Sequence, residues 1–400
     1  MRHSRNTMII IIGSIVAMGP LATDIYLPSL PGLGLAFDTS VKSVQLTLSA
    51  YLFGYSVAQV FCGPLSDRYG RLPIMLGGLI LFAASSVICT WTQTIDQLIF
   101  ARFFQAIGGC VGPVLGRAMV RDMYDGEEAT RVQSWTGVVL GISPAVAPIV
   151  GGYLEYYYNW TACFYVLSIY AVASVVVVWL FVGETNHSLN PTAAAIRPMM
   201  INFSALLKHR SFVGHTLTLT LCFGGLWAWL SGSPFVLTEV FGIPAKHLGF
   251  CYIWGVATFM MGSAVSARFG ASWGVHRSLQ IAGLCAISGS GSALMLELIG
   301  MNSIYTLIGT LSVFFFAGGI VFPQTISAAL QSFPKMAGSA SGLLGFMQMS
   351  GGALIGGIVG HIYNGSADVV LWVMFFCAVG TLLSHQCVTC RFGRSSWGKI

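Results

Sequence analysis

The side chain with the clearest chemical potential is Asp24, which interrupts an apolar run that begins at Met8 and continues to Leu30. An ionised carboxylate in hydrocarbon costs at least a few kcal/mol, so it must face a protein interior, pair with a cation or be protonated. Such a group can bind and release a proton as its access to water changes. The cation at similar depth is Arg102, also set in an apolar stretch. Both residues are therefore candidates for proton coupling. A plainer reading stays open for each: Asp24 as a capping or interfacial acid beside Pro28 and Pro31, and Arg102 as a donor to carbonyls of a neighbouring helix.

A second cluster lies in Gly63-Pro64-Leu65-Ser66-Asp67-Arg68-Tyr69-Gly70-Arg71. A tight turn between helices uses its glycines for backbone freedom. Asp67 can cap the following helix or pair with an arginine of a neighbouring span, making a latch biased by Arg68 and Arg71. Farther on, Pro144 and Pro148 each remove a helical hydrogen bond, and Gly151 and Gly152 allow close helix approach. Tyr51, Tyr55 and Gln59 repeat at four-residue spacing, on one helical stripe. With Gln105, Trp227, Phe235, Phe316 and Gln348 they are the candidate contacts for a lipophilic or amphipathic ligand in a pocket between the halves of the chain. Cys387 and Cys390 have redox or metal spacing but lack a second pair, and read as helix-end residues. The sequence offers no nucleophile with its base, metal cluster or phosphate loop, so neither enzyme nor cofactor is expected.

The elements that position these residues follow from composition. With 55% hydrophobic and 8% charged residues, the chain departs far from the soluble norm of roughly 25% charged. Apolar stretches of about the 20 residues a crossing needs run over 8–30, 44–64, 73–92, 97–117, 132–154, 160–182, 211–238, 247–267, 278–297, 302–331, 338–361 and 368–388. The first contains Asp24 and several prolines and is read as a span rather than a leader. With the N-terminus inside, all of the 19 Lys and Arg except Lys42, Lys246 and Arg102 fall in or beside cytoplasmic segments, as the positive-inside rule requires. The net charge of +6 is thus an insertion signal, and no basic cluster with interleaved aromatics points to nucleic acid.

Residues 1–182 and 211–390 are expected to form two six-helix bundles, with 183–210 a cytoplasmic linker and 391–400 a cytoplasmic tail. Internal echoes support duplication. Ser66-Asp67-Arg68-Tyr69-Gly70 is answered by Ser266-Ala267-Arg268-Phe269-Gly270, with only the acid lost, and Arg131–Gly152 aligns with Met336–Gly357.

The loop at 63–71 resembles the signature loop of the major facilitator superfamily, G-x-L-(A/S)-D-R-x-G-R. Arg102-Phe-Phe-Gln105 is similar to the R-x-x-Q-G motif of drug:proton antiporters, with Ala106 for glycine. Pro144 to Gly152 resembles the G-P-x-x-G-G antiporter motif, with Ala147 for the first glycine. Asp24-Ile-Tyr-Leu-Pro28-Ser-Leu-Pro31 and Arg121-Asp122-Met-Tyr124 look like the Bcr/CflA branch of 12-span exporters. The resemblance implies an all-α membrane protein with 12 transmembrane helices in two bundles related by pseudo-twofold symmetry. It further implies a monomer in the bacterial inner membrane with cytoplasmic termini, exporting small molecules, drugs among them, by alternating access. Protons and the bilayer are the other partners, and the proton gradient takes the place of a cofactor. Two alternatives remain: a carrier of the same fold for one endogenous siderophore, amino acid or sugar, and a non-transporting receptor.

Overall fold

The computed structural model describes residues 5–392 except 187, 302, 334 and 335. Cys390's side chain and most of the tail expected over 391–400 lie outside the described residues. The described residues form fourteen α-helices in sequence. The first eight are α1 (Arg5–Asp24), α2 (Leu30–Ala36), α3 (Val41–Tyr69), α4 (Arg71–Trp91), α5 (Ile95–Gly109), α6 (Val111–Met123), α7 (Gly126–Tyr157) and α8 (Thr161–Phe181). Then follow α9 (Ile196–Lys208), α10 (Arg210–Phe235), α11 (Ala245–Leu298), α12 (Ile304–Gln331), α13 (Ala337–Ile362) and α14 (Asp368–Phe392). Among the described residues eleven helical stretches are long and apolar enough to cross a bilayer; α1 with α2, and α5 with α6, count as one each. The longest is α11, which breaks at Gly274 (φ 73°, ψ 160°), and dividing it there gives the twelve crossings expected from sequence.

The chain clusters into two compact units. One comprises residues 1–196 with 243–252, the other 197–242 with 253–400. The stretch expected as a linker contains α9.

In the first unit, α8 shows why such helices belong in lipid. Phe164, Leu167, Ala171, Ser174 and Val178 are buried at helical spacing, while Tyr165, Ile169, Val172, Val176 and Trp179 are exposed. Both faces are apolar, so the outer one meets hydrocarbon rather than water. α3 packs on α5, α4 on α5 and α8, and α1 on α6 and α7. The first crossing is not continuous. Pro28 has no N–H to give the carbonyl of Asp24, and the chain tightens into a 3-10 turn over Leu27–Ser29 before α2 resumes.

In the second unit α10 packs against α12, α13 and α14. Trp229, Leu311, Phe314, Val370 and Met374 belong to its main apolar cluster. The sequence echo at Gly270 is corrected here. Gly270 lies within α11, and the chain turns four residues later at Gly274, whose backbone matches that of Gly70 (φ 100°, ψ 155°). In that register Ala271 and Val275 stand where Asp67 and Arg71 do, so the second turn lacks both the acid and its basic partner.

Candidate functional site

Asp24 is the last residue of α1. Beyond it the helical ladder is disturbed: Tyr26 N donates to Thr23 O at 3.3 Å, which leaves the carbonyl of Ala22 without its usual partner four residues on. Arg102 takes that carbonyl. Wholly buried on α5, it donates from Nη1 to Ala22 O (3.1 Å) and to Gln105 Oε1 (2.6 Å). Gln105 Nε2 in turn donates to Ser86 Oγ (2.7 Å), and Ser86 Oγ to Phe82 O (2.7 Å). This chain of bonds ties α1, α5 and α4 together inside the bundle.

The charge of Arg102 is met by aromatic faces. Its guanidinium carbon lies 4.3 Å from the ring centre of Tyr51, 4.7 Å from Tyr26 and 5.7 Å from Phe164, within the range of cation–π attraction. Tyr26 and Tyr51 are themselves fixed, by Thr47 Oγ1 (3.0 Å) and by donation to Gly19 O (3.1 Å). Asp24, 6% exposed, receives one bond, from Thr23 Oγ1 at 3.3 Å. Among the described residues no ion pair joins it to Arg102. The expectation of a charge pair is corrected. The arginine serves a freed carbonyl, a glutamine and aromatic faces, and the carboxyl stands buried with no cation paired to it among the described residues.

The loop after α3 forms a second polar site. Arg71 Nη1 pairs with Asp67 Oδ1 (2.5 Å) and Arg71 Nε with Asp122 Oδ2 at the end of α6 (2.9 Å). Asp67 therefore pairs within its own loop, and the cap of α4 is a different acid. Glu184 accepts from the backbone amides of Arg71 (2.9 Å) and Leu72 (3.0 Å). Burial pushes the Glu184 carboxyl up, but the amides of Asn186, Arg71, Leu72 and Thr185 outweigh it and hold the group below the usual carboxylate range. The stretch after α8 closes over the loop: Asn190 N donates to Asp67 O (2.9 Å) and Thr185 Oγ1 to Asp122 Oδ2 (3.3 Å). Arg68 lies over the Tyr69 ring at 4.9 Å. Gly70 needs its positive φ, and a Cβ there would meet Glu184 Oε2. Gly63 does not serve the turn as expected: it lies inside α3, and a Cβ there would meet nothing within 4 Å.

α7 runs unbroken through Pro144 and Pro148. A Cβ on Gly151 would overlap the Ile25 carbonyl at the break in the first crossing, and one on Gly152 would overlap Ala245 O. The pair thus seats α7 directly on backbone.

Of the candidate ligand contacts, Tyr51 and Gln105 belong to the Arg102 network. Tyr55 is buried on the same stripe, and Gln59 Oε1 is buried without a hydrogen-bond partner. In the second unit Trp227 stacks on Phe223 at 5.7 Å, with its Nε1 buried and unpartnered. Phe235 lies 5.9 Å from Tyr363, Phe316 packs against the core cluster, and Gln348 is buried. Sequence reasoning missed Tyr26 and Glu184. The second had a signal, being the one acid between 183 and 210 and directly following an apolar span.

A model described as Major Facilitator Superfamily matches residues 12–356. A bicyclomycin resistance protein homolog of Haemophilus influenzae is 28% identical over 395 residues, 98% of each chain. The MFS-type transporter YdgK of Bacillus subtilis is 32% identical over 395 residues, again 98% of each. Among solved structures, the xylose transporter XylE of E. coli has a TM-score of 0.73 over 99% of both chains at 12% identity, a likeness of fold. With a family model spanning the first to the eleventh crossing and relatives aligned end to end, this chain belongs to the Major Facilitator Superfamily and is a multi-pass membrane transporter.

Proposed function

We propose that the chain is a proton-coupled exporter of small lipophilic or amphipathic compounds, drugs among them, working by alternating access, with Asp24 as its proton carrier. The observation that supports this most is the setting of Asp24: buried, at a break in the first crossing, with one hydrogen bond and, among the described residues, no paired cation. A bare charge there is costly, so changes in water access exchange a proton instead. Arg102 holds the broken crossing in place and acts on Asp24 through position. The Asp67, Arg71, Asp122 and Glu184 network holds the cytoplasmic gate. On this reading the protein is a monomer in the inner membrane with both termini cytoplasmic, and the proton gradient supplies the drive. Residues 1–182 and 211–390 act as its two bundles, joined by 183–210. A relative named for bicyclomycin resistance supports drugs as substrates.

The test is substrate-induced proton release and pH-gradient-driven accumulation, measured together in reconstituted vesicles against a panel of lipophilic cations and neutral amphiphiles. Wild type should release protons and accumulate. Asp24→Asn should still bind, yet lose both proton release and uphill transport, because binding and coupling are separable free energies. Full coupling in Asp24→Asn would overturn the assignment and move it to Glu155 or Glu239. Flux of a single endogenous metabolite in place of the panel would establish the narrower carrier, and absence of flux a receptor.

A further inference from the structure

Three of the chain's eight histidines meet at one end of the second unit, each from a different helix: His215 on α10, His276 just past the Gly274 break in α11, and His385 on α14. His276 Nδ1 lies 3.0 Å from His385 Nε2, and the same Nε2 lies 3.2 Å from the His276 carbonyl. Ring centres are 5.0 Å apart for His276 and His385, and 6.4 Å for His215 and His385. His385 is 1% exposed and His215 8%, with His215 Nδ1 buried and unpartnered. His276 is exposed.

The carbonyl decides the proton. A carbonyl oxygen only accepts, so the hydrogen of the shared contact sits on His385 Nε2 and is directed at both acceptors of His276. Nδ1 of His276 must then be a lone pair. We propose that these three histidines form a proton-binding site that latches α11 to α14: neutral His276 holds the latch shut, and a proton arriving at His276 Nδ1 opens it. Once Nδ1 carries a hydrogen it faces Nε2–H, and the N–H···N bond is lost. Exposure of His276 gives the proton its route in.

Among the described residues of the unit no acidic side chain lies at this end to neutralise the added charge. The acids of the unit, Glu239, Glu297 and Asp368, stand after the end of α10, at the end of α11 and at the start of α14, which is the opposite end of each helix. Other ionisable groups of the described residues at the histidine end are Lys208, His209 and Arg210 about the start of α10, Arg268 and Arg277 on either side of the Gly274 break in α11, and Cys387 on α14. Among the described residues α12 and α13 bring none there, since Tyr305 and His361 are at their far ends. A second positive charge therefore meets His215 and basic neighbours. Imidazoles in contact bind protons as a set rather than singly.

The test uses the full chain, labelled with 15N-histidine, in lipid nanodiscs. At neutral pH, His385 Nε2 should be protonated and His276 Nδ1 unprotonated, and on acidification the resonances of both rings should move together. In His385→Gln the His276 Nδ1 resonance should lose the displacement that the N–H···N bond gives it. If His385→Gln does not fold, His276→Gln at its exposed position serves, and the His385 Nε2 resonance should then move likewise. A hydrogen on His276 Nδ1 at neutral pH, or an unchanged resonance in the partner-less variant, would overturn the latch.

Discussion

Glu184 gathers backbone amides from both sides of the loop it closes, those of Arg71 and Leu72 at the start of α4 and those of Thr185 and Asn186 beside it. Its carboxyl sits below its ordinary value of 4.5 when folded. The stabilisation is therefore complete above the usual carboxylate range and is lost as pH falls through the lowered folded value. Glu184→Gln should cost about 1 kcal/mol at neutral pH, the size of a helix cap. In thermal unfolding of detergent-purified protein, wild type and variant should differ at pH 7 and converge only once pH falls below the lowered folded value. An equal gap at both pH values would reject the capping role. At this scale Asp24 was legible as a lone acid in an apolar run. The partners of Arg102 were not, because Ala22 O becomes available where Tyr26 N turns to Thr23 O at the end of α1, and no residue type marks a freed carbonyl.

Helices of this chain are placed by where backbone touches backbone. Gly151→Ala puts a methyl group into the Ile25 carbonyl and must push α7 off the first crossing, at about 1–3 kcal/mol for overpacking. Gly63→Ala, with open space at its Cβ inside a helix, should be neutral or stabilise by roughly 0.5–1 kcal/mol. Unfolding midpoints of the two variants should thus move in opposite directions or by clearly different amounts, and equal shifts would refute the contact. The close packing of α7 was readable from its paired glycines. The turn in α11 was not: the string Ser266–Gly270 copies the first turn's residue types, yet backbone conformation, set by Gly274, decides the register. The two readings differ by one helical turn, which keeps similar residues on the same face and conceals the slip.

Across the whole chain, apolar length was enough to mark the crossings, because a bilayer sets span length directly. A reporter active only in the cytoplasm should work both within 186–196 and at the C-terminus, each following an even number of crossings; silence at either would break the twelve-crossing arrangement. Local pattern could not supply the bonds that join distant crossings, and one of these governs assembly in time. Ala22 and Arg102 are 80 residues apart in the chain, and synthesis proceeds at ~5–20 residues per second. The first crossing therefore leaves the ribosome with a carbonyl that waits on the order of 4–16 s for its donor. In hydrocarbon an unsatisfied polar group costs several kcal/mol. The nascent segment is best held at the membrane surface or against the insertion machinery until the fourth crossing arrives, so order of synthesis is part of how this bundle closes.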